Sequence, residues 1–260
     1  MKFAKLMLFS AILCFFPGGP TGVSAAEFDH SHTLFDKVLK AHVKEALVNY
    51  PALKANPKDL NTYLDQLAAV SEADFQKWSE KQQLAFLMNL YNAATLRLII
   101  DNYPIASIKK IGGLLSGPWK QEVVRLFGQV TTLDHLEHQI LRKKYTEPRV
   151  HFAIVCAAYG CPPLRSEAYV ADKLDAQLDD QGRKFLGTAN KNSVEARARV
   201  LYLSPIFKWF SEDFEKKSGT VQKFVAPFFS EDSRKEIEKG GLKIKYTDYD
   251  WSLNDASKPK

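Results

Sequence analysis

Apolar residues recur at helical spacing along most of this chain, and the width of the apolar stripe changes from segment to segment. Over residues 28–50, Leu34, Val38, Leu39, His42, Val43 and Leu47 fall near one stripe, which predicts an amphipathic helix stopped by Pro51. Asn56-Pro57 opens a second helical segment with Leu60, Tyr63, Leu64 and Leu67 at helical spacing, and Ser71, with Asp74 three residues on, predicts the next N-cap. From Ser79 through residues 82–100 the pattern is apolar nearly all round, as in a central buried helix, and Pro104 ends it.

Shorter patterns follow. Gly112-Gly113, Gly117 and Pro118 mark a loop before a hairpin of residues 123–127 and 130–132 turning at Gly128-Gln129. Residues 132–142 read as a short helix burying Leu133, Leu136, Ile140 and Leu141, residues 150–156 as a strand, and residues 167–186 as a helix. A strand at 199–204 leads through Ser204-Pro205 into an aromatic-rich helix with Trp209 and Phe210, and Gly240-Gly241 turns into an alternating strand at 242–246. No repeat or low-complexity linker divides residues 26–260, so the expectation is one α+β domain, helix-rich with a small, mainly antiparallel sheet.

The N-terminus changes the picture of where this domain works. Lys2 and Lys5 precede an apolar run over residues 6–16 that is too short to span a bilayer, and Val23-Ser24-Ala25 fits the small-residue cleavage pattern. Residues 1–25 are therefore read as a signal peptide, and the mature protein as periplasmic or secreted. Cys14 leaves with this leader. No later stretch could form an integral membrane anchor, because residues 84–100 are interrupted by Asn89, Asn92 and Arg97. About 235 residues remain, enough for a core without disulfide staples. Loss of Lys2 and Lys5 lowers the formal charge from +6 to about +4. No basic stripe is interleaved with aromatics, so nucleic acid is not an expected partner; a small molecule, peptide or envelope polymer is.

Candidate chemistry concentrates where the only cysteines outside the leader stand, in His151-Phe152-Ala153-Ile154-Val155-Cys156-Ala157-Ala158-Tyr159-Gly160-Cys161-Pro162-Pro163-Leu164-Arg165. A thiol nucleophile needs a base to hold it as thiolate and a group to orient that base. His135, His138 and His151 flank the cysteines, and Asp134 or Glu137 could orient an imidazole on the same short helix. In an exporting compartment Cys156 and Cys161 could instead pair as a structural disulfide, closing a loop worth only about 2 kcal/mol. Asn89 and Asn92, three apart on an apolar helix, must find partners: a catalytic group, or the backbone of an adjoining loop. The same histidines, Glu137 and cysteines include enough ligand types for zinc, but His135-Leu136-Glu137-His138 lacks the usual zinc-helix spacing, so no cofactor is expected and zinc is an alternative.

Four motifs stand in order: Phe86-Leu87-Met88-Asn89-Leu90-Tyr91-Asn92-Ala93, Leu133-Asp134-His135-Leu136-Glu137-His138-Gln139-Ile140-Leu141-Arg142, the His151 to Cys161-Pro162-Pro163-Leu164 segment, and Tyr249-Asp250-Trp251-Ser252-Leu253-Asn254. Together they resemble the domain of unknown function 547 family over residues 82–254, here in an exported bacterial form. His135 departs from the family, which more often has an acid there. The resemblance implies that the Asn, Glu-His and His-to-Cys motifs belong to one site. The resulting expectation is an exported cysteine-dependent hydrolase or transferase acting on an amide, acyl or peptide bond. Cys156 or Cys161 would be the nucleophile, with Cys156 preferred because a strand end holds a side chain firmly. His138 would be the base, Glu137 or Asn92 its orienting partner, and Asn89 and His151 neighbours in the site. Amides of the cysteine turn would supply an oxyanion hole. The alternative of a different class is a non-catalytic envelope binding module with a Cys156–Cys161 disulfide and an aromatic groove.

Overall fold

Ser79 accepts the Gln82 N–H and the Gln82 side chain accepts the Ser79 N–H, a capping box that starts the helix Glu80–Asn102. Every residue from Leu84 to Ile100 except Arg97 is buried, so this helix is the axis of the core. The helix Lys58–Ala68 packs on it through Leu60, Tyr63, Leu64 and Leu67, and Thr33–His42 packs in turn on Lys58–Ala68. The computed structural model describes residues 28–113 and 116–258, and the expected leader lies outside them.

Beyond His42 the long helix expected to Tyr50 gives way to two-residue strands, Val43–Lys44 and Leu47–Val48. Glu45 and Ala46, at φ 51° and 66°, form the tight turn whose twist suits a hairpin. Contacts from the far end of the chain favour this break: the Val48 N–H donates to Asn254 O and the Ala256 N–H to Val48 O, both at 2.9 Å. Pro51 begins a helix, Tyr50–Ala55, where no N–H is needed, instead of stopping one.

The strands form small sheets. Glu122–Leu126 pairs antiparallel with Gln129–Thr132, and the turn lies at Phe127 and Gly128, both at positive φ, one residue earlier than the glycine pattern suggested. Val200–Leu203 is flanked by Ser193–Glu195, antiparallel, and Lys243–Tyr246, parallel, so the expected antiparallel character holds for all but that last pairing. The helical elements outweigh these strands, giving the expected helix-rich α+β architecture. Among the described residues no helix is long and apolar enough to cross a membrane.

Residues 150–156 are not a strand. Val150–Ala153 is one helical turn, and Ile154 then turns extended at φ −85°, ψ 136°. Asn92 replaces the missing strand neighbour: its Nδ2 donates to Ala153 O at 2.9 Å and its Oδ1 accepts the Val155 N–H at 3.0 Å. The helical turn sends Val150 and Ala153 into the cluster around the central helix and Phe152 into a second cluster built on Phe185, Phe207, Phe214 and Phe224. His151 is thereby set at the seam between two apolar cores.

Candidate active site

The cysteine turn is strapped by the C-terminal segment. The Tyr159 N–H donates to Ser252 O and the Gly160 N–H to Asp250 O, both at 2.8 Å, and the Asn254 N–H donates to Ala157 O at 3.1 Å. A Cβ on Gly160 would lie 2.9 Å from both the Asp250 nitrogen and Tyr249 Cδ1, so the close approach requires glycine. With Ala157 left-handed at φ 55°, the turn brings the two sulfurs 2.8 Å apart as free thiols. The Cys156 N–H donates to Cys161 Sγ at 2.9 Å, and Tyr249 Oη lies 3.1 Å from Cys156 Sγ.

These donors make the sulfurs unequal. Hydrogen bonding to Cys161 and burial push the Cys156 thiol well up. Burial also opposes ionisation of Cys161, but the Cys156 thiol and amide, Tyr249 and the Lys191 charge outweigh it and lower its pKa. Cys161 is therefore the sulfur held toward thiolate, whereas the strand-end argument preferred Cys156. The amides of Cys156, Tyr159, Gly160 and Cys161 are all engaged within the turn and its strap, so these four do not contribute to the expected oxyanion hole.

Thr132 caps the turn Leu133–His135, which continues into a π-helical stretch, Leu136–Leu141, and the closing turn Arg142–Lys144. This wide coil sets Glu137 inward, 8% exposed, where Tyr91 Oη donates to its Oε2 at 3.1 Å. Burial lifts the Glu137 pKa to about 7 although the Tyr91 bond and the Arg142 charge pull the other way.

Arg142 ties the histidines together. Its Nη1 donates to His138 Nδ1 at 2.8 Å; a guanidinium cannot accept, so that nitrogen carries a lone pair and the neutral ring is protonated at Nε2, 3.9 Å from Asp134. Arg142 also reaches Asp213 through Nε at 2.6 Å and Nη2 at 3.2 Å. Asp213 accepts from His151 Nε2 at 2.7 Å, while the His151 ring stacks on Phe210 with centroids 3.9 Å apart. Burial lowers both histidine pKa values against the pull of Asp134 and Asp213. Burial raises that of Asp213, but the His151 and Arg142 bonds overcome it and hold the carboxyl well below its usual range.

Glu137, His138, His151, Cys156 and Cys161 line one cavity of about 250 Å³. Cys161 and Pro162 also wall a second, more polar cavity of about 600 Å³, lined as well by Arg165, Lys184 and Lys191, whose Nζ donates to Cys161 O at 2.7 Å. Five of the seven expected site residues thus converge, but the expected Cys–His pair is not assembled: neither sulfur hydrogen-bonds an imidazole. Glu137 bonds Tyr91 and not His138, whose partners are Arg142 and Asp134. Asn89 and Asn92 are clamps outside the cavity. Asn89 donates to Tyr169 O at 2.8 Å and accepts its N–H at 3.0 Å, as Asn92 does for Ala153 and Val155.

Sequence reasoning missed Asp213 and Arg142, whose charges meet His151 only through the fold, and placed no site role on Tyr91 or Phe210. Trp209, Tyr249 and Trp251 stood out as aromatic motifs and here line the cavity with Trp119. His135 is exposed and apart from it, and among the described residues no group of three or more His, Cys, Asp or Glu side chains is arranged to hold a metal ion.

No curated protein and no solved structure matches the chain. A family model described as protein of unknown function, DUF547, matches residues 75–186, the stretch that holds the central helix, the Glu137 coil and the cysteine turn. Trp209, Asp213 and Tyr249 lie beyond that match. Over residues 75–186 the chain is therefore similar to the DUF547 family.

Proposed function

We propose that the cavity is the active site of an exported thiol-dependent enzyme that cleaves or transfers an acyl group at an amide, acyl or peptide bond, with Cys161 as nucleophile. The observation that carries this reading is the Cys156 amide donating to Cys161 Sγ at 2.9 Å beside a 2.8 Å contact between the two sulfurs, on a wall shared with the protonatable Glu137. The Cys161 thiolate attacks the carbonyl carbon, and a C–S bond forms as the C–N or C–O bond breaks. The leaving atom takes the Glu137 proton, an acid whose pKa of about 7 suits that transfer. Water or an acceptor then attacks the thioester and returns a proton to Glu137. The His138–Arg142–Asp213–His151 chain positions the opposite wall.

The 2.8 Å contact between sulfurs also favours a second reading, thiol–disulfide exchange. Cys161 would attack a substrate disulfide, releasing one thiolate, and Cys156 would attack Cys161 to close an internal disulfide and release the other.

Alkylation by iodoacetamide, mapped by mass, tests the shared premise. Cys161 should react faster than Cys156 and faster than in the urea-unfolded chain, with a midpoint below the usual thiol value of about 8.5. Equal rates in folded and unfolded protein would end both readings. Cys156→Ser then separates them, because acyl transfer survives the change and disulfide exchange does not. Export rests on the leader outside the described residues, and the exported protein should begin near Ala26.

A further inference from the structure

We infer that the cavity beside Cys161 receives the amine half of an amide substrate and holds it as an alkylammonium against the Trp209, Tyr249 and Trp251 rings and the Glu137 carboxyl. The inference rests on the thiol reading for the bond broken, and on independent observations for the ligand.

The first is the aromatic wall. Tyr249 and Trp251 have ring centroids 4.5 Å apart, Trp209 lies 4.9 Å from Tyr249 and 5.9 Å from Trp251, and Trp119 meets Trp251 edge-on at 5.9 Å. Trp209 is 48% exposed, an unusual position for so large an apolar ring, and it stands at the edge of the cavity. Ring faces attract cations through their quadrupoles. This cluster already does so: Lys109 Nζ lies 4.4 Å from the Trp251 centroid.

The second is charge. The chain has 36 Lys and Arg against 30 Asp and Glu, yet among the described residues no lysine or arginine lines this cavity, while Asp134, Glu137 and Cys161 do. His138 and His151 are held toward their neutral forms by burial. The third is the Glu137 carboxyl, which lines the cavity and takes the Tyr91 hydroxyl on Oε2, so a ligand N–H that reaches this wall meets a carboxyl already fixed in place.

The chemistry closes on the same group. When Cys161 takes the acyl carbon, the amide C–N bond breaks and the nitrogen takes the Glu137 proton. The free amine then takes a proton from solvent water, the hydroxide being neutralised by the carboxylic acid that thioester hydrolysis releases, and pairs as ammonium with the carboxylate it has just created. A neutral alcohol leaving group would gain neither the ring faces nor the ion pair, so the site discriminates for amides of alkylamines over esters.

The test is binding of n-butylammonium to the reduced protein at pH 8, followed by tryptophan fluorescence and calorimetry, with 1-butanol, tetramethylammonium and cellobiose as comparators. n-Butylammonium should bind about tenfold or more tightly than 1-butanol, the effect of one charge-assisted hydrogen bond. Glu137→Gln should remove most of that margin, and Trp209→Ala, at a half-exposed position that spares the fold, should weaken binding about threefold or more. Affinity should fall as pH drops through about 7 and Glu137 protonates; Tyr91, Arg142, Asp134 and Asp213 are the other polar and charged groups acting on it. Equal binding of 1-butanol, tighter binding of cellobiose, equal binding of tetramethylammonium, which has no N–H, or an unchanged Glu137→Gln protein each overturns the inference. An inert Cys161 leaves ammonium binding untouched, and absent ammonium binding leaves Cys161 alkylation untouched, so the two readings fail separately.

Discussion

Replacing Glu137 by glutamine removes a buried carboxyl while keeping an oxygen that can accept from Tyr91, so the change isolates the charge. The folded pKa is about 7 against an ordinary 4.5, because burial disfavours the anion. The sign follows from proton counts. Between those two values the folded state holds a proton that the unfolded chain has released, so stability falls as pH rises from about 4 and levels off above about 8. The gap between about 7 and 4.5 corresponds to about 3 kcal/mol at 1.36 kcal/mol per tenfold change in proton affinity. Urea unfolding of parent and Glu137→Gln at pH 4 and pH 8 measures this directly. The variant should gain about 3 kcal/mol relative to the parent between the two pH values. A difference that stays constant within about 0.5 kcal/mol would show that Glu137 ionises as freely as in water, and the acid role assigned to it would fall.

Gly160→Ala should destabilise the protein by about 1 to 3 kcal/mol and loosen the strap, seen as faster hydrogen exchange at the Tyr159 and Gly160 amides; an unchanged midpoint would mean the approach to Tyr249 is not tight. Asn92→Ala leaves the Ala153 carbonyl and Val155 amide without their partner at a cost of about 1 to 3 kcal/mol for each buried group, read by urea unfolding, and a neutral result would refute the clamp. The Asp213 carboxyl is held below its usual range, so the stability it contributes is present above pH about 4 and is lost as pH falls further. The stability gap between parent and Asp213→Asn should therefore narrow from pH 7 to pH 2; a gap of the same size at both would contradict the His151–Asp213–Arg142 network.

Much of this was legible in the residues themselves. The capping box at Ser79 and the unbroken apolar surface of the helix behind it required burial on all sides, and Asn89 and Asn92 on that surface required partners, which proved to be loop backbones. Glu137, His138, His151 and the two cysteines were recognised as one site from ordered motifs. The errors came where local pattern and distant contact disagree. Residues 150–156 carry a strand's composition, yet Asn92 accepts and donates the hydrogen bonds that a strand neighbour would have taken. Residues 43–48 carry a helix's periodicity, yet Asn254 and Ala256 pair with Val48 and draw out a hairpin.

What the chain alone determined is therefore the set of groups that must be buried, capped or satisfied, because those demands arise from each side chain's own solvation and from spacing along a few turns. Which groups meet was decided only in the folded molecule. Asp213 comes to His151, Tyr91 to Glu137 and Tyr249 to Cys156 across long stretches of sequence, and proton affinity depends on such neighbours and on exclusion of water. The same two cysteines, equal as letters, become a donor and an acceptor because one turn, strapped by the C-terminal segment, aims an amide and a thiol at Cys161.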